Sequence, residues 1–163
     1  MKKLLILSFI YLAAITVLKA QDITQQTIST CPEMQAGKVY TGKDIRAAKA
    51  NFPEGVYVNG YGTSKHYPFA KITSPRMITV LYFSEEKDSE IIHLHANTFK
   101  PKNFAFDISQ SYIFSDGKAT ATTTYGGSIS LSPDKVLTIN QTENGVETIA
   151  KIRLSGKTIE NLD

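Results

Sequence analysis

An all-β domain with one short helix near its N-terminus is the fold class this sequence predicts, as an antiparallel meander closing into a small barrel or a β-sandwich. Three observations predict it. From Glu54 onward apolar and polar residues alternate with a period of two. Turn chemistry recurs between these runs at near-regular spacing, as Ser74-Pro75, Asp116-Gly117, Gly126-Gly127, Pro133-Asp134 and Asn144-Gly145. After the first twenty residues, one helical signature stands out, Asp44 to Ala50.

Residues 1–20 read as a secretory signal peptide, cleaved near Ala20. Lys2 and Lys3 form a basic start, Leu4 to Leu18 is an apolar run, and polar Gln21-Asp22 follows small Ala20. The run is too short for a comfortable membrane span, and no later stretch approaches the ~20 apolar residues a spanning helix needs. Residues 21–35 are polar and aperiodic, which predicts a flexible lead-in, and residues 36–163 form a single β-rich domain. Lys38 to Thr41 is a first short strand. The helix follows, started by Thr41 or Lys43-Asp44, favoured by Ala47 and Ala48, and stopped by Pro53.

Val56 to Gly62 alternates, with Gly60 and Gly62 suggesting a bulge or bend. Tyr67 to Thr73 is a strand. Met77 to Phe83 carries apolar residues on both faces, so it belongs in the centre of a sheet. Glu90 to Thr98 returns after the charged loop Ser84–Ser89. Phe104, Phe106 and Ile108 begin a face that continues through Tyr112 and Phe114, and Ser115–Lys118 reads as a hairpin turn. A Thr-rich strand, Ala119–Tyr125, ends at the paired glycines, and Ser128–Ser132 is short. Val136–Thr142 and Val146–Leu154 are joined through Asn144-Gly145, the clearest hairpin turn in the chain. The pattern is similar in architecture to small secreted ligand-binding barrels, without a motif that names a family.

Composition excludes several function classes. The formal charge of +3 belongs to the signal segment: without Lys2, Lys3 and Lys19, Lys plus Arg falls from 18 to 15, equal to the 15 Asp and Glu. A neutral chain with scattered charges lacks the basic stripe of nucleic-acid binding. Cys31 is the one cysteine, so no intrachain disulfide forms. Ile28-Ser29-Thr30-Cys31 resembles a bacterial lipobox, but Thr30 is larger than the usual small residue and ten polar-rich residues precede Cys31, which argues against a lipid anchor there.

The one cluster with metal-grade chemistry is His93-Leu94-His95. On a strand it places two imidazoles on one face about 6.5–7 Å apart, a foothold for a transition metal. Pairing Leu94 with Phe106, so that both apolar faces point into one core, puts Asp107 opposite His93 and leaves Phe99–Pro101 as the loop. His93, His95 and Asp107 are therefore the candidate metal ligands, with His66 the remaining histidine. The resemblance to a cupin motif stops at His-x-His, because no glutamate follows at the short spacing. Tyr57, Tyr61 and Tyr67, in a glycine-punctuated region, are candidates to line a ligand pocket. Ser132–Lys135 spells Ser-x-x-Lys, but within a turn and without companion motifs.

These readings predict a non-enzymatic module, periplasmic or secreted, that binds a small ligand or a protein partner and holds no cofactor. A metal-binding protein using His93 and His95 is the first alternative. A structural or adhesion subunit with an uncovered strand edge is the second.

Overall fold

A computed structural model describes residues 25–58, 64–87, 89–154 and 159–162, apart from the side chains of 108–111. The signal segment and Tyr61 lie outside these residues. The elements are α1 (Gln25–Thr30), β1 (Val39–Thr41), α2 (Gly42–Ala47) continuing into a 3-10 turn (Ala48–Asn51), β2 (His66–Thr73), β3 (Ile78–Glu85), β4 (Ile92–Phe99), β5 (Phe106–Lys118), β6 (Thr124–Leu131), β7 (Val136–Glu143), β8 (Val146–Arg153) and β9 (Glu160–Leu162). Strands β2 to β9 pair antiparallel in sequence order, and β1 pairs with β6. The meander is as expected. The barrel is not, because among the described residues the terminal strands β2 and β9 do not pair and the sheet stays open.

The helix forms where Thr41 and Asp44 place it. The Asp44 carboxylate accepts from the Thr41 backbone N–H at 2.9 Å and from its hydroxyl at 2.7 Å, which holds Asp44 below the usual carboxylate range. Ile45 and Ala48 then point into the main core. That core joins Leu81, Phe83, Leu94 and Phe114 from β3–β5 to Ile129, Leu137 and Ile152 from β6–β8.

Residues 25–35 differ from the expected lead-in. Helix α1 buries Ile28, and Cys31 beside it is also buried, in a second cluster with Ile78, Val80 and Phe99 on the other face of β3 and β4. Beyond it the chain runs along the outer edge of β2. The Met34 N–H donates to the Lys71 carbonyl and the Lys71 N–H to the Pro32 carbonyl, each at 2.8 Å. A polar composition hid this segment because only three of its buried residues, Ile28, Cys31 and Met34, are apolar, and the fourth is Thr27.

The turn expected at Ser115–Lys118 is instead the end of the 13-residue strand β5. This strand pairs with β4 from Phe106 to Asp116, with three register shifts, and with β6 through Gly117 and Lys118 alone. Gly117 has φ +130°, and a Cβ there would lie 2.1 Å from the Glu90 carbonyl oxygen, so its freedom serves a close strand approach rather than a turn. The reversal comes at Ala119–Thr123, where the Thr120 hydroxyl accepts from the Thr123 N–H at 3.0 Å. The Thr-rich strand is thus a loop, and β6 starts at Thr124. Gly127 lies inside β6 because the Phe114 ring occupies the place of its missing side chain. Where β5 and β6 diverge, the Gln141 amide acts as a splint. Its Oε1 accepts from the Ser115 N–H at 3.0 Å, and its Nε2 donates to the Ser115 carbonyl at 3.1 Å.

Candidate functional site

Strand alternation gives β3 and β4 two different faces. Leu81, Phe83, Leu94 and Ala96 enter the main core, while Tyr82, Ser84, His93, His95 and Asn97 stand on the opposite face. Helix α1 covers one end of that second face, over Ile78, Val80 and Phe99. Toward the other end the side chains become polar. Pairing sets Ser84 level with both His66 of β2 and His93 of β4, and His93 level with Ser115 of β5.

All three histidines of the chain therefore meet on one face. His66 and His95 have ring centroids 6.2 Å apart, and His95 and His93 6.4 Å. Tyr82 stacks on His95 at 5.5 Å, and Tyr112 packs edge-on to it at 5.9 Å. The polar atoms are bonded across the strands. The Tyr82 hydroxyl donates to Asn97 Oδ1 at 2.9 Å, Ser84 Oγ lies 3.3 Å from His95 Nε2, and Ser115 Oγ lies 2.8 Å from His93 Nδ1. The Tyr112 hydroxyl also bonds Ser115 Oγ.

Burial grades across this array. His66 and His95 are buried, His93 is half-buried, and Tyr112 is 59% exposed. Burial, reinforced by the neighbouring His66 and His93, pushes His95 down to about 4, and burial lowers His66 as well. Both are neutral at pH 7, with the proton position set by their hydrogen bonds.

The histidines hold the expected face but not the expected partner. Asp107 does not stand opposite His93; Ser115 does, and Asp107 Oδ1 lies 3.5 Å from Lys100 Nζ. The physical reason is Phe99. It stays in β4, buried against the second cluster, so β4 runs further and the hairpin loop is residues 100–105 with Phe99 opposite Phe106. That moves every later partner of β4 along β5.

The tyrosines separate. Tyr67 is buried in the main core, 5.2 Å from the Phe83 ring with Lys49 Nζ over its own ring, and Tyr57 is half-buried. Cys31 is buried too, its thiol pushed up to about 12 by that burial, which leaves no useful thiolate at neutral pH. The members that sequence reasoning missed are Tyr82, Ser84, Tyr112 and Ser115, while His66, weighed there as the remaining histidine, joins them from β2. The signal for two of them was Tyr82-x-Ser84, a polar pair closing an otherwise apolar strand face two residues at a time.

Chemically, the array offers imidazoles, phenols and hydroxyls, with no carboxylate among the contacts above. Ser115 is buried and its hydroxyl is engaged by both His93 and Tyr112, so it is not an exposed nucleophile. Among the described residues, no group of three or more His, Cys, Asp or Glu could hold a metal ion. A separate cleft of about 760 Å³ opens beside Arg46, Glu90 and Asp116. Its Arg46 is committed, to the Asp116 carboxylate at 2.5 Å and to the Asp116 and Glu90 carbonyls at 2.7 and 3.1 Å. Among the described residues, no helix is long and apolar enough to cross a membrane. Compared with family models, curated proteins and solved structures, the chain matches none.

Proposed function

We propose that this protein is an exported, non-enzymatic binding module whose ligand, a small molecule or a segment of a partner protein, rests on the second face of β4 and β5 over His93 and Tyr112. The observation that carries this reading is Tyr112. Its ring is 59% exposed, yet its hydroxyl is tied to Ser115 and through it to His93. A large ring held in place beside fixed hydrogen-bonding groups loses little freedom on binding, which is what recognition surfaces exploit. Export is supported by the pattern of residues 1–20. The shared core of β3–β5 and β6–β8 supports reading the two halves as facing layers of a sandwich.

The test is a ligand screen on the mature chain by amide NMR. Ligands that shift residues around His93, Tyr112 and Ser115, and that bind Tyr112→Ala at least ~30-fold more weakly, are expected; a lost aromatic anchor costs ~2 kcal/mol or more. Ligands that perturb only the Arg46 cleft, or turnover that depends on His93, would sink the reading. N-terminal sequencing of exported protein beginning near Gln21 checks the address.

A second reading, metal binding, keeps one specific support: His95 is neutral and lies between two other imidazoles. It no longer includes Asp107. It also requires an imidazole to turn, because His95 is bonded toward Ser84 on β3 and His93 toward Ser115 on β5. Near-stoichiometric metal in protein purified without chelator, lost in a His93→Ala/His95→Ala variant, would favour it.

A further inference from the structure

Open sheets leave edges, and this chain treats its edges unequally. The outer edge of β2 is covered by residues 32–34 and by Val56, which exchanges two backbone hydrogen bonds with His66 at 2.7 and 2.9 Å. The long strand β5 is treated differently. Its β4 side is paired, but among the described residues no strand pairs with its other edge between Phe106 and Phe114. Strand β6 leaves β5 after two residues and takes β1 instead. The uncovered stretch holds one charged residue, Asp107, and neither Pro nor Lys to guard it, and the three register shifts of its pairing with β4 bend it without covering it.

Two exposed aromatic rings mark the same stretch. Phe106 is 55% exposed and Tyr112 is 59% exposed. Both stand on the second face, since Phe106 packs edge-on to Phe99 and Tyr112 lies beside His93. They are also placed symmetrically about Ser109. An antiparallel copy of β5 centred there sets Phe106 of each copy opposite Tyr112 of the other. It makes two identical aromatic pairs and sets Asp107 opposite neutral Ser111, so no like charges meet.

We infer that β5 pairs through this open edge with β5 of a second copy of the chain, joining the two sheets into one across a two-fold axis. The contact is isologous and closes on itself, so it forms dimers rather than fibres. It also brings Phe106 of the second copy against Tyr112, and so extends the aromatic surface beside His93.

The test uses cysteine placement on the mature chain, in which the one native thiol, Cys31, is buried and unreactive. A mixture of Phe106→Cys chains and Tyr112→Cys chains is expected to form a disulfide-linked dimer under mild oxidation, whereas neither chain alone does. In sedimentation, the wild-type chain is expected to self-associate, and Phe106→Lys, a change at an exposed position, to weaken the dimer at least about tenfold by removing both aromatic pairs. Circular dichroism verifies that Phe106→Lys is folded. A wild-type chain monomeric up to about 100 μM overturns the inference. So does cross-linking that is as efficient with one variant as with the mixture, because the copies then meet in another register or at another surface.

Discussion

The two faces of β3 and β4 share one backbone and differ in almost everything else. On the main-core side, Leu81, Phe83, Leu94 and Ala96 pack without a polar partner among them. On the second side, Tyr82, His95 and Asn97 are nearly as inaccessible and Ser84 is half-buried, but each is bonded to a neighbour. The first face stabilises the fold through area removed from water. The second spends burial on polar groups that contribute only while their bonds and their neutral charge state last. Equal burial therefore carries unequal roles, and the face that costs more to build is where a site is to be sought.

That contrast can be tested by substitution and by acid. The largest effect belongs to the core face: Phe83→Ala should cost about 3–5 kcal/mol in denaturant unfolding, since it removes a fully buried ring. Acid should act on the other face. An unfolded histidine takes a proton near pH 6.5, while folded His95 resists until about 4. Stability is therefore complete above pH 6.5 and falls by up to about 3 kcal/mol as pH drops toward 4. Urea titrations at pH 7 and pH 4.5 on wild type and His95→Leu measure this; equal acid sensitivity in the two would show that another group carries it.

Smaller changes sharpen the comparison. Tyr82→Phe should cost about 1–2 kcal/mol, because Asn97 Oδ1 loses its donor in a buried place. Thr79 sits on the core face with its hydroxyl buried and without a partner. Thr79→Val should therefore raise the free energy of unfolding, by up to about 1 kcal/mol. A loss at Thr79 as large as that at Tyr82 would erase the distinction between the faces.

Much of this fold is legible in the sequence. Asn144 and Gly145 both have positive φ in the β7–β8 turn, as that dipeptide requires. Thr41 and Asp44 start the helix, and the two-sided apolar pattern of residues 77–83 marks a strand buried on both faces. Register was harder to read. Periodicity fixes which face a residue joins, but the partner along the neighbouring strand depends on where the loop lies, and Phe99 moved that loop. Asp116-Gly117 misled for a related reason: glycine marks either a turn or a close approach, and the Glu90 carbonyl that decides between them lies 27 residues earlier. His66 joined the array from a segment with no pattern of its own, carried there by its pairing with Ser84.

The sequential order of the sheet also shapes how it assembles. From β2 to β9 each strand pairs with its immediate successor, so every pairing closes a short loop and can zip up locally. Strand β1 is the exception, joining β6 across some 90 residues, and Arg46 reaches 70 residues to Asp116 beside it. These contacts bear the largest loop-closure entropy and are expected to form last. Kinetic analysis should then give Arg46→Ala a φ-value near zero, a faster unfolding rate with folding almost unchanged, while Leu94→Ala in the β3–β4 hairpin slows folding itself. Residues 39–46 would thus act as a latch, setting how long the finished sheet stays shut rather than how quickly it is made.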